Sequence, residues 1–197
     1  MNRVVVGSSM FLYAAVEVLQ AILPSLVAAM LHSITALLAM TLALASIVLI
    51  PIILLMVGSA VGGVEPLLLG ASLAMLLGGI INVSAYAVEY SRVALHVGRI
   101  PSLPAYFILA PIMFLAGWLL ASAFLLTRIR GALATVAAVL LVIGYIIGLA
   151  STIALNIMSI VRPGLGLIMI ISVISVTGVA FKAAGQLTGG TAVMLRT

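Results

Sequence analysis

Aspartate and cysteine are both absent from this chain of 197 residues. Without aspartate, no Asp-based motif for metal, phosphate or alcohol-phosphotransfer chemistry can be built. Without cysteine, disulfides, thiolate nucleophiles, iron–sulfur clusters and Cys-ligated zinc are excluded. Asn and Gln are scarce as well (Asn2, Asn82, Asn156, Gln20 and Gln186). Such depletion suits a thermophilic source, although a lipid-facing composition produces the same pattern. Charge is the largest deficit: eight basic and three acidic residues make up 6% of the chain, where a soluble domain carries about 25%. A chain this poor in polar groups cannot cover itself against water, so its solvent is lipid.

The short inventory of reactive side chains removes most enzyme classes. Two histidines and three glutamates are too few and too dispersed for a zinc site, which needs three or four converging ligands. The chain has no HExxH, GxSxG or P-loop, and Gly7–Ser8–Ser9 lacks the second glycine and the general base of a nucleophile elbow. The expectation is a non-enzyme without a metal.

What the sequence does have is hydrocarbon. Hydrophobic residues make up 66% and the mean hydropathy is +1.51. Apolar runs of twenty or more residues recur, each long enough to cross a core of about 30 Å as a helix. Consecutive rather than alternate positions are apolar, which argues against a membrane β-barrel. The predicted fold is all-α: a polytopic integral membrane helical bundle, one transmembrane domain over residues 1–197, of about six helices. The net charge of +5 comes from basic residues scattered singly or in pairs beside apolar runs. These read as juxtamembrane anchors on lipid phosphate, not as a nucleic-acid surface.

Helices are predicted over about 4–31, 34–59, 66–97, 103–126, 132–160 and 165–183. The N-terminal run resembles a signal peptide but continues past about 7–15 apolar residues with no cleavage site, so it is expected to be retained as the first helix. The first break is placed at His32–Ser33, with Pro24–Ser25 as the alternative. Glu65 and Pro66 read as a helix start. Residues 185–197, rich in glycine, read as a loop or short surface segment, with Lys182 near the last helix end where it can snorkel. The helices divide three plus three around an interfacial stretch, residues 86–104. Arg3, Arg128, Arg130, Lys182 and Arg196 fall on one side, against Arg92, Arg99 and Arg162, which predicts a cell-membrane protein with both termini cytoplasmic.

Few polar residues then need an explanation. Glu17 lies deep in the first helix, with Tyr13 four residues before it and Gln20 three after, all on one face. An ionisable residue at that depth costs on the order of 2.5–3.5 kcal/mol unless it faces the bundle interior or pairs. Glu17, Gln20, Tyr13 and Asn82 form the candidate intramembrane polar or ion site. Asn82, Tyr86, Glu89, Arg92, His96 and Arg99 share an arc of roughly 140°; from Tyr86 onward they form a candidate docking stripe, or a surface ion pair with an interface anchor. Small residues at Gly70, Ala74 and Gly78, and at Gly144 and Gly148, are spaced for close helix packing. His32 and His96 could ligate one haem b at a membrane interface.

Two functions stay open on these residues. A non-catalytic membrane subunit or scaffold, held by other subunits or as a homo-oligomer, explains the sparse chemistry and the small-residue faces. A small transporter or channel for an ion, proton or polar solute explains the deep glutamate.

Overall fold

The computed structural model describes residues 2–30, 34–94, 103–161 and 164–196. Among them the chain forms six helices and no strand: α1 (Arg3–Met30), α2 (Ile34–Val61), α3 (Pro66–Ala94), α4 (Leu103–Phe124), α5 (Ala132–Val161) and α6 (Leu165–Leu195). Five of these contain stretches long and apolar enough to cross a membrane: Met40–Val61, Pro66–Ala85, Ile108–Ile129, Ala132–Ser151 and Leu165–Leu195. Large apolar side chains such as Leu42, Leu77, Ile108, Ile146 and Val173 point outward, the surface a multi-pass protein presents to lipid.

Each helix packs against its neighbours in the chain, and α6 returns to α1, so the six make a closed ring. The glycines fix the register. A Cβ built on Gly79 of α3 would lie 2.8 Å from Val48 of α2, and one on Gly78 would lie 3.1 Å from Phe114 of α4. On Gly185 of α6 it would lie 2.8 Å from the Leu141 amide nitrogen of α5, and on Gly190 it would lie 3.0 Å from the Gly7 carbonyl of α1. Successive helices therefore run antiparallel, and the two chain ends lie at the same end of the ring. There the Asn2 amide donates to the Gly58 carbonyl (3.1 Å), and Asn2 caps α1 by accepting from the Val5 amide (3.2 Å).

Three boundaries differ from the sequence-based expectation. First, the backbone of α1 runs unbroken through Pro24 and Ser25, which removes that alternative break; His32–Ser33 lies outside the described residues. Second, the helix predicted over 103–126 closes in a π-helical turn, Leu125–Ile129. The Arg130 amide donates to the Leu125 carbonyl (2.8 Å), and the chain reverses through positive φ at Arg130 (55°) and Gly131 (95°). Third, α6 does not end at residue 183 but continues to Leu195. The glycines that suggested a loop are packing residues: Gly185 brings α6 against the α5 backbone at Ala137 and Leu141, Gly189 packs against the side chains of Leu125, Met10 and Ala137, and Gly190 meets the Gly7 carbonyl of α1.

Glu65 precedes the first turn of α3 and its carbonyl accepts from the Leu69 amide (2.9 Å), as expected of a helix start. Its carboxylate also accepts from Arg128 Nε (3.0 Å), joining the α2–α3 turn to the π turn. The Arg128 side chain is 60% exposed, so the pair contributes little. Arg130 is different. A non-glycine residue held at φ 55° and ψ 168° stores about 1–3 kcal/mol of backbone strain. Glycine there relieves the strain but costs about 0.4–1 kcal/mol of unfolded-state entropy. The Arg130→Gly variant is therefore expected to be more stable by about 1 kcal/mol, seen as a higher midpoint of thermal unfolding in detergent.

Candidate functional site

The interior of the ring is apolar over most of its length, filled by Met10, Ile52, Leu68, Met75, Phe124, Leu125 and Leu141. One level departs from this. Glu17 stands 14 residues from the start of α1 and 13 from its end, about 20 Å of helix on either side. Its carboxylate Oε2 accepts a hydrogen bond from Lys182 Nζ of α6 at 2.5 Å. Both side chains are nearly buried, 10% exposed for Glu17 and 13% for Lys182. The sequence placed Lys182 near a helix end, free to reach the interface. Because α6 runs to Leu195, Lys182 instead has 13 further residues of helix beyond it, and its ammonium is an internal partner for Glu17.

The pair is held from two sides. The Lys182 ammonium lies 5.5 Å from the centroid of the Tyr145 ring, close enough for a cation–π attraction. Tyr145, on α5, donates its hydroxyl to the Pro111 carbonyl of α4 at 2.5 Å. The backbone of Lys182 is fixed by Gly144, where a Cβ would come within 2.5 Å of the Lys182 amide nitrogen and 2.9 Å of the Gly178 carbonyl. One turn along α1, Tyr13 meets Trp118 of α4 edge to face, with centroids 5.1 Å apart and planes at 74°.

Beside the pair lie polar groups without hydrogen-bond partners among the described residues: the Tyr13 hydroxyl, the Ser122 hydroxyl and both amide atoms of Gln186. Their residues are 3%, 4% and 0% exposed. The register brings them to one level. A Cβ on Gly189 would touch Leu125, Met10 and Ala137 at 3.3, 3.3 and 3.5 Å. Stepping three residues back along α6 and along α4, which run parallel, and three forward along the antiparallel α1 gives Gln186, Ser122 and Tyr13. An unsatisfied buried amide or hydroxyl costs about 1–3 kcal/mol, so these groups are expensive to leave without partners. Chemically it offers a donor and acceptor in Gln186 and two hydroxyls, next to one carboxylate and one ammonium.

Of the residues singled out from sequence, Tyr13 and Glu17 belong to this cluster. Gln20 is on α1, but its side chain is outside the described set. Asn82 is half-buried on α3, which packs against α2 and α4 and not, among the described residues, against α1. Tyr86, Glu89 and Arg92 lie on α3 with side chains outside the described set. His96, Arg99 and His32 are outside the described residues altogether, and with them both histidines of the haem option. Among the described residues no three His, Cys, Asp or Glu side chains gather as metal ligands. Gly70 faces Leu120 and Gly78 faces Phe114, both of α4; Ala74, between them on α3, is half-buried. Gly144 and Gly148 face Gly178 and Lys182 of α6.

Sequence reasoning missed Lys182, Gln186, Ser122 and Tyr145. A signal for the first two was present: Gly178, Lys182, Gln186 and Gly190 repeat at intervals of four, a single helix face. Comparison of the chain with known protein families, with curated proteins and with solved structures finds no match.

The pair generates a stability test. Lys182→Met leaves a buried carboxylate without a cation and is expected to destabilise the protein by about 3–5 kcal/mol. Combining it with Glu17→Gln should recover most of that loss, because no charge then remains buried. Unfolding of the two single variants and the double in detergent measures the coupling; purely additive losses would show that the two side chains act independently.

Proposed function

We propose that the protein is a small multi-pass membrane transporter that takes a small polar solute into the interior of its helix ring. One observation carries this reading: a buried Glu17–Lys182 pair lies beside the unpartnered groups of Tyr13, Ser122 and Gln186. A bundle selected only for stability is better served by apolar packing there, since replacing a buried ion pair by hydrophobic residues is often neutral or stabilising. A transporter, in contrast, needs polar groups near mid-membrane that are left unsatisfied until a solute arrives.

In this reading all six helices cross the membrane, with α1 as the sixth span. Both termini then lie on one side, and that side is cytoplasmic in the cell membrane. Lys182 no longer counts among the loop cations, so the arginines Arg3, Arg128, Arg130 and Arg196 stand against Arg92, Arg99 and Arg162, four to three instead of five to three. We assign no catalysed reaction. The alternative, a non-catalytic subunit of a membrane assembly, drew on small-residue faces awaiting a partner. Gly70, Gly78, Gly144 and Gly148 find their neighbours on α4 and α6 of the same chain, so those faces no longer call for a second protein.

Purified protein in liposomes, assayed with radiolabelled glycine, glycerol and urea, tests the proposal. At least one of the three is expected to enter faster than into protein-free liposomes. That uptake should fall to the protein-free rate in a Glu17→Gln/Lys182→Met double variant that still folds. Equal rates with and without protein for all three probes, together with a stoichiometric membrane partner retained in mild detergent, would replace this reading by the subunit one.

A further inference from the structure

We infer that the Glu17–Lys182 pair recognises solutes that carry both charges and no net charge, the class of a small amino-acid-like zwitterion. This rests on the transporter reading above and adds the chemistry of what is carried.

The interior site contains one carboxylate and one ammonium in direct contact at 2.5 Å, so its net charge is zero. A net charge brought into it would have no counter-charge, and an uncompensated ion inside the bilayer costs several kcal/mol. A zwitterion avoids that cost by exchanging partners. Its carboxylate takes the Lys182 ammonium and its ammonium takes the Glu17 carboxylate, so one ion pair becomes two and the interior stays neutral. No covalent bond changes and no proton has to move. When the solute leaves, Glu17 and Lys182 close on each other again, and the empty site is as neutral as the filled one.

The surroundings fit this exchange. The Tyr145 ring, 5.5 Å from the Lys182 nitrogen, holds the ammonium in place while its carboxylate partner is replaced. Gln186, one turn beyond Lys182 and 0% exposed, has no hydrogen-bond partner for either amide atom among the described residues, nor does the Tyr13 hydroxyl, one turn before Glu17. These neutral donors and acceptors suit the uncharged remainder of a small polar solute. They add no charge to upset the balance.

The charge rule is testable by binding. Thermal stabilisation of the purified protein in detergent is titrated with glycine, acetate, methylammonium and urea. The wild type is expected to bind glycine at least about tenfold more tightly than any of the other three, about 1.4 kcal/mol. In Lys182→Gln the preference should move to methylammonium, because only the carboxylate remains; in Glu17→Gln it should move to acetate. Where a single variant does not fold, the charge-reversed Glu17→Lys/Lys182→Glu protein keeps a neutral pair, and a retained glycine preference there supports the inference. A wild type that favours urea or either monovalent ion, or single variants that still prefer glycine, would overturn it. If glycerol or urea nevertheless enters liposomes, the transporter reading survives that result. No stabilisation by any probe and no uptake of any probe would sink both.

Discussion

A carboxylate and an ammonium inside a hydrocarbon-coated bundle are each other's only ion-pair partners among the described residues, and the ring depends on where they meet. Glu17 comes from the first helix and Lys182 from the last, so their contact spans the seam at which the ring closes. Separating α1 from α6 would expose two charges to lipid, whereas parting two apolar helices in lipid replaces one set of dispersion contacts by another. The pair therefore gives this seam a specificity that apolar packing alone lacks. Apolar contacts at Gly7, Gly190 and Met194 tighten the same seam nearer the chain ends.

Around that seam the side chains divide the ring by size. Small residues draw α3 to α4 and α5 to α6 until backbones touch: Gly117 faces the Ala71 carbonyl, and Gly178 faces the Gly148 amide. Between those two tight pairs stand large side chains, with Trp118 of α4 against Tyr13 and Tyr145 of α5 reaching the Pro111 carbonyl. The charged pair sits against one of these tight contacts, since the Lys182 amide lies where a Cβ on Gly144 would fall. Glycine thus sets how closely the helices approach, and the Tyr145 ring lies over the Lys182 ammonium.

Much of this architecture was legible in the chain, because composition and run length report the solvent directly. The six helical segments, the deep position of Glu17 and the Tyr13 face could be read from apolar run length and i, i+4 spacing. What could not be read was the partner. From sequence Lys182 reads as an interface anchor, because the glycines after it resemble those of a loop. In lipid, glycine spaced at four or seven residues is a packing face, and only the neighbouring helix distinguishes the two uses. Asn82 shows the complementary limit: periodicity assigns it to a face of its own helix but does not say which other helix that face meets. Gln186 and Ser122 were invisible as a set because register between α4 and α6, which are not neighbours in the chain, is set only by the closed ring.

The separation of Glu17 from Lys182 also imposes an order of events during synthesis. The two residues are 165 positions apart, and at about 5–20 residues per second a ribosome needs about 8–33 s to make the intervening chain. For that interval the first helix has its glutamate and no counter-charge to meet it. Insertion of an unpaired acidic residue into a bilayer costs on the order of 2.5–3.5 kcal/mol, so in the transporter reading, with α1 as a sixth span, that cost falls on the first helix until α6 emerges. The first helix made then waits for the last one before its charge is matched. A chain cut short before Lys182 would keep Glu17 but lack the cation that meets it in the folded protein.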